Sequence, residues 1–79
     1  MAARITVRYW AGAKRAAGRA EEPFEVSTLV ELRAALRARP ELAKVSEVAS
    51  FLVDGARVPD TAELPDGAQV DVLPPFAGG

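Results

Sequence analysis

Gln69-Val70-Asp71-Val72-Leu73-Pro74-Pro75-Phe76-Ala77-Gly78-Gly79 is the stretch from which the rest of the chain is read. Its first five residues alternate, with Val70 and Val72 on one side and Gln69, Asp71 and Leu73 on the other, the period of a half-buried strand. Pro74 and Pro75 end that strand, because each fixes φ and removes a backbone donor. Beyond them the side chains narrow from Phe76 through Ala77 to two glycines. Fully extended, a six-residue tail of this kind reaches on the order of 20 Å. Its tip has no Cβ, so it fits a slot that would exclude any larger residue. The one chemical group at the tip is the α-carboxylate of Gly79. A frayed terminus is the plain alternative for the same residues.

The rest of the chain narrows what such a tail can be for. Seventy-nine residues make one small domain with a modest core. The absence of cysteine excludes disulfides and thiolate metal sites. The absence of histidine removes the side chain most used for acid–base catalysis near neutral pH and the commonest metal ligand. No bound cofactor or metal is expected, and a catalytic centre built by this chain alone is disfavoured. Ten basic and eleven acidic residues give a net charge of −1, against the basic excess of a nucleic-acid binder. No apolar run approaches the roughly 20 residues that span a bilayer. Met1-Ala2-Ala3-Arg4 leads straight into a strand, so the expected compartment is the cytoplasm.

Working back from the tail, Leu64-Pro65-Asp66-Gly67 reads as a turn feeding the last strand. Ser50-Phe51-Leu52-Val53 reads as a strand, Asp54-Gly55 as a hairpin turn, and Ala56-Arg57-Val58 as a short returning strand. Thr28-Leu29-Val30-Glu31 has the form of a capping box. Leu29, Leu32 and Leu36 follow at helical spacing, Arg37 and Arg39 suit the negative end of the helix dipole, and Pro40 closes the helix. Glu41 to Val48 has room for a short helical turn through Leu42. Glu21 to Val26 reads as a strand that Pro23 confines to an edge, with Phe24 and Val26 inward. Ala11 to Ala20 is a Gly- and Ala-rich connection with room for a helical turn. Its Lys14, Arg15 and Arg19 fit either a solvated loop or a contact to an acidic partner. Ile5-Thr6-Val7-Arg8-Tyr9-Trp10 alternates, with Ile5, Val7 and Tyr9 toward the core, which leaves Trp10 on the polar face with Thr6 and Arg8. Strand, strand, helix and three further short strands make an α+β fold with one helix on a mixed sheet of four to five strands.

Read together, Val7-Arg8-Tyr9-Trp10-Ala11, the Gly12-Ala13-Lys14-Arg15-Ala16-Ala17-Gly18 loop, the single capped helix, the Asp54-Gly55 hairpin and Val70-Asp71-Val72-Leu73-Pro74-Pro75-Phe76-Ala77-Gly78-Gly79 resemble the ubiquitin-like sulfur-carrier family (MoaD/ThiS-like). The likeness covers nearly the whole chain and is closest to the small subunit of molybdopterin synthase. It implies a β-grasp domain over 1–73 and an extended tail over 74–79, with the first and last strands parallel and central. That pairing sets Trp10 and Leu73 side by side on the face away from the helix, and the family's use of that face implies a partner interface there, extended by Val58. Pro74, Pro75, Phe76, Ala77 and Gly78 would be the inserted tail, and Gly79 the reacting terminus.

The chemistry that the resemblance implies requires no side chain of this protein at the reacting atom. A terminal carboxylate is ionised and a poor electrophile at pH 7. An E1-like adenylyltransferase, using its own ATP and magnesium, converts it to an acyl-adenylate. A sulfur-donor protein then displaces AMP and leaves a thiocarboxylate on Gly79. In molybdopterin synthase the tail enters the large subunit, where the sulfur attacks the pterin precursor, so this chain would be a non-catalytic, sulfur-donating subunit. Phe76 departs from the smaller aliphatic residue more usual before the Ala-Gly-Gly end, which leaves the acceptor open. Sulfur delivery to thiamine thiazole or to cysteine is the alternative within the chemistry. A ubiquitin-like modifier joined through Gly79 to lysines, and an inert β-grasp module, are the alternatives outside it.

Overall fold

The computed structural model describes residues 2–75. Four strands and three helices follow one another as β1 (Ala3–Tyr9), α1 (Ala11–Ala17), β2 (Glu21–Val26), α2 (Leu29–Arg37), α3 (Ala43–Val48), β3 (Ser50–Val53) and β4 (Gln69–Leu73). The sheet order is β2-β1-β4-β3. β1 and β2 are antiparallel with Ile5 opposite Phe24, and β3 and β4 are antiparallel with Phe51 opposite Val72. β1 and β4 are parallel and central, with Val7 opposite Val70 and Tyr9 opposite Val72. A parallel pair requires a crossover, which α2 supplies. This is the β-grasp arrangement, and Pro23 lies on an edge strand as its missing donor demands.

Alternation along the strands builds the core. Ile5, Val7, Tyr9, Val26, Phe51, Val53, Val70 and Val72 are buried on one face of the sheet, and Leu29, Leu32 and Leu36 of α2 fill the space above them. Phe24 is half-buried and packs on the same cluster. The cap of α2 forms at Thr28, whose Oγ1 accepts from the Glu31 amide at 3.3 Å. Glu31 Oε1 reaches back one residue further than a simple box requires, accepting from the Ser27 amide at 2.7 Å. A 2.8 Å bond from the Leu64 amide to the Ser27 carbonyl and a 3.1 Å bond from the Val30 amide to the Asp60 carbonyl fasten the 59–64 segment to this helix start.

Three segments differ from the sequence reading. Ala11–Ala17 forms a seven-residue helix, more than the single turn expected, closed by Gly18 at φ 75° with its amide on the Lys14 carbonyl at 3.0 Å. Ala43–Val48 is likewise a helix. Ala56-Arg57-Val58 is not a strand. The turn itself forms, with Asp54 at φ 49°, Gly55 at φ 84° and reciprocal Val53–Ala56 bonds of 2.8 and 3.0 Å. The ladder stops at that one bridge. β3 takes β4 as its partner, and the chain after Ala56 turns away toward the start of α2.

Candidate functional site

The site is the end of the sheet where β1 and β4 run out together. Trp10 is the first residue beyond β1. Its amide donates to the Val72 carbonyl at 3.2 Å, and its own carbonyl accepts from the Ala13 amide at 2.9 Å, so the same residue ends the strand and starts α1. The chain turns there through Ala11 at φ 47°, a left-handed backbone that side chains with a Cβ rarely adopt.

The Trp10 indole lies over the sheet face opposite α2, with Nε1 donating to Asp71 Oδ1 at 3.1 Å. The Arg8 guanidinium sits 5.1 Å from the ring centre, within cation–π range, and its Nη1 reaches Gln69 Oε1 at 3.4 Å. Trp10 is nevertheless 42% exposed, in a chain whose other aromatic residues described by the structure are buried or half-buried. An aromatic anchored on one side and open on the other suits an interface better than a core.

Leu73 is half-buried and pairs with Ser50. Extending the parallel register one step past Tyr9 and Val72 sets Trp10 beside Leu73, the juxtaposition expected from the sequence. Val58 is half-buried and packs against the core cluster. Pro74 is half-buried and Pro75 exposed at the root of the tail. Phe76, Ala77, Gly78 and Gly79, which the sequence reading makes the inserted and reacting residues, lie outside the described residues.

At the neighbouring residue, Tyr9, lies a polar knot that the sequence did not disclose. The Tyr9 hydroxyl donates to Glu22 Oε1 at 2.6 Å, Arg39 Nη1 donates to the same oxygen, and Arg19 Nη1 lies 3.4 Å from Glu22 Oε2. Arg39, beyond the end of α2, also pairs with Glu41 at 3.0 Å, so it serves as a tie between elements as well as a helix-end charge. Burial pushes the Glu22 carboxyl up, but the bonds from Tyr9 and Arg39 and the two guanidinium charges outweigh it and hold the group below the usual carboxylate range. Burial, then the bond to Glu22, pushes the Tyr9 phenol well above its ordinary value. Asp71 and Arg8 also escaped notice, although the β1–β4 register was enough to place them together.

Among the described residues no cluster of carboxylates could hold a metal ion, and no helix is long and apolar enough to cross a membrane.

The ThiS family model matches residues 7–79, from within β1 to the terminal glycine. No curated protein matches the sequence significantly. Among solved structures, molybdopterin-converting factor from Helicobacter pylori, in a complex of its subunits 1 and 2, aligns at 25% identity and a TM-score of 0.78, covering 96% of this chain and 99% of that one. A Pyrococcus furiosus protein provisionally assigned as molybdopterin converting factor subunit 1 aligns at 25% identity and 0.80, covering 94% and 99%. The small archaeal modifier protein 1 of Methanosarcina acetivorans, at 18% identity, shares the fold with a TM-score of 0.83 over 100% of this chain and 99% of that one. The chain thus belongs to the ThiS family and has its ubiquitin-like sulfur-carrier fold.

Proposed function

We propose that this protein is the sulfur-carrying small subunit of a molybdopterin synthase. The observation that carries the reading is a family match that extends to Gly79, on a chain whose exposed Trp10 stands at the end of β1, beside the strand that leads into the tail. A carboxylate oxygen of Gly79 attacks the α-phosphorus of ATP on an E1-like adenylyltransferase and expels pyrophosphate. A sulfide equivalent from a sulfur-donor protein adds to the acyl carbon, and AMP leaves. The resulting thiocarboxylate is a soft nucleophile, and the large subunit presents it to the pterin precursor. Trp10 and Leu73 dock the partner while residues 74–79 enter its site. The subunit complex of the Helicobacter pylori neighbour supports a large-subunit partner. Phe76 is the residue that bears on the acceptor, and thiamine thiazole or cysteine synthesis would use the same terminus in the same way.

Intact-mass measurement on protein from its native cells, with and without a thiol-alkylating reagent, tests this. The chain has no cysteine, so alkylation reports the terminus alone. A single alkylated species mapping to Gly79 is expected. An unmodified terminus that also stays inert with ATP and the adenylyltransferase would overturn the reading.

A further inference from the structure

A groove of about 730 Å³ opens beside Trp10, between the end of β1, α1 and the start of β2. Four cations line it, Arg8, Lys14, Arg15 and Arg19, against the single carboxylate Glu21. This concentration is not inherited from the composition, because the whole chain carries −1. Nor is it fully neutralised internally, although Arg19 lies 3.4 Å from Glu22. Lys14, Arg15 and Arg19 are exposed, and no ion pair among the described residues engages Lys14 or Arg15. Of the acids close by, Glu22 is shared among Tyr9, Arg39 and Arg19, and Asp71 accepts from the Trp10 indole.

The backbone fixes this cluster in place. α1 is aimed by the left-handed Ala11 at one end and closed by left-handed Gly18 at the other, and the Tyr9 amide ties the returning loop to β1 through the Ala20 carbonyl at 2.8 Å. Like charges held together on a short rigid element repel one another and gain when an anion enters between them. The groove is walled by an indole as well as by cations, so its chemistry suits an acidic chain segment with apolar side chains between its carboxylates.

We propose that this groove is a docking site for an acidic segment of a partner protein, continuous at Trp10 with the face at the tail root. The segment's carboxylates meet Lys14, Arg15 and Arg19 while an apolar side chain packs on the indole. The site adds specificity and association rate to the contact made by Trp10 and Leu73, and it does not depend on what Gly79 carries.

The test uses the full chain and a capped acidic hexapeptide of glutamate and leucine, with inorganic phosphate and a lysine–leucine peptide as comparisons. Trp10 is the sole tryptophan, so its fluorescence reports groove occupancy directly. Amide shifts over residues 11–18 provide a second readout. A saturable change with the acidic peptide is expected, weakening at least tenfold in Lys14→Glu/Arg15→Glu and falling as salt shortens the Debye length from about 30 Å at 0.01 M to about 8 Å at 0.15 M. Arg57→Glu, exposed and outside the groove, should change binding less than twofold. The proposal is overturned by no saturable change in either readout, by equal weakening from Arg57→Glu, or by phosphate saturating the same signal at the same concentration.

Discussion

Glu22 shows how one side chain can join three elements. Its carboxylate is only 12% exposed, yet it gathers the Tyr9 hydroxyl from β1, Arg39 from beyond α2 and Arg19 from the β1–β2 connection. Because its folded pKa lies below the unfolded one, its contribution is present above the unfolded carboxylate value of about 4.3 and is lost as pH falls through the folded pKa. Glu22→Gln should lower stability by about 1–2 kcal/mol at pH 7, since charge-assisted bonds are replaced by weaker ones. The same variant should show a flatter decline between pH 5 and pH 3 in urea titrations. Equal acid limbs in the two proteins would show that other carboxylates govern that range. Ala11 offers the opposite case, a residue whose replacement should help. An L-residue in the left-handed region costs about 1–2 kcal/mol, and glycine recovers most of this while losing some unfolded-state restriction. Ala11→Gly should therefore raise stability by about 0.5–1 kcal/mol, visible as a Tm increase of a few degrees.

The elements differ in how far local sequence determined them. α2 was legible because every local signal agrees: Thr28 and Glu31 cap it, three leucines make its buried stripe, and Pro40 prevents its continuation. α1 was not, because seven residues containing Gly12 are too short for propensity alone to hold a helix, and tertiary attachment at Trp10 and Gly18 completes it. The Ala56–Val58 strand was expected from a strong turn signal. A turn specifies only its own geometry, however, and after the single Val53–Ala56 bridge the chain leaves β3 and is held instead at the start of α2, through the Val30–Asp60 and Leu64–Ser27 bonds. The alternation of β4 was legible, and it separates two consequences at adjacent positions. Val72 is buried and faces α2, whereas Leu73 points to the opposite face. Val72→Ala should cost about 2–3 kcal/mol in chemical denaturation, from lost burial plus the cavity left behind. Leu73→Ala should cost under about 1 kcal/mol while weakening partner binding at least tenfold. A large stability loss with unchanged affinity would assign Leu73 to the core.

At the scale of the whole molecule, the described sheet and core precede the residues that the proposed delivery would use. Among the described residues, every strand, helix and buried core residue lies at or before Leu73, and β4 is held between β1 and β3 before the first proline. Histidine and cysteine are missing from the sequence, while Trp10 remains exposed at the end of β1, beside the strand from which the tail departs. The sequence exposed the core because periodicity encodes it locally. It hid the Glu22 knot and the basic groove because those arise from residues that only the folded register brings together. Such a separation can be tested by altering the terminus alone. Deleting Gly78 and Gly79 removes no residue from the core cluster, so Tm and the urea midpoint should match the parent protein. Appending one residue after Gly79 should be equally silent in folding, yet it replaces the reacting carboxylate with a peptide bond and displaces the new one from the geometry of a narrow slot. Adenylation, followed as ATP–pyrophosphate exchange with the activating partner, should fall below detection for both variants. Docking through Trp10 would persist, so that each competes with the parent chain for the same partner. Normal exchange in the extended variant would place the chemistry elsewhere than the terminus, whereas lost exchange with unchanged folding and retained competition assigns the last two residues to reaction alone.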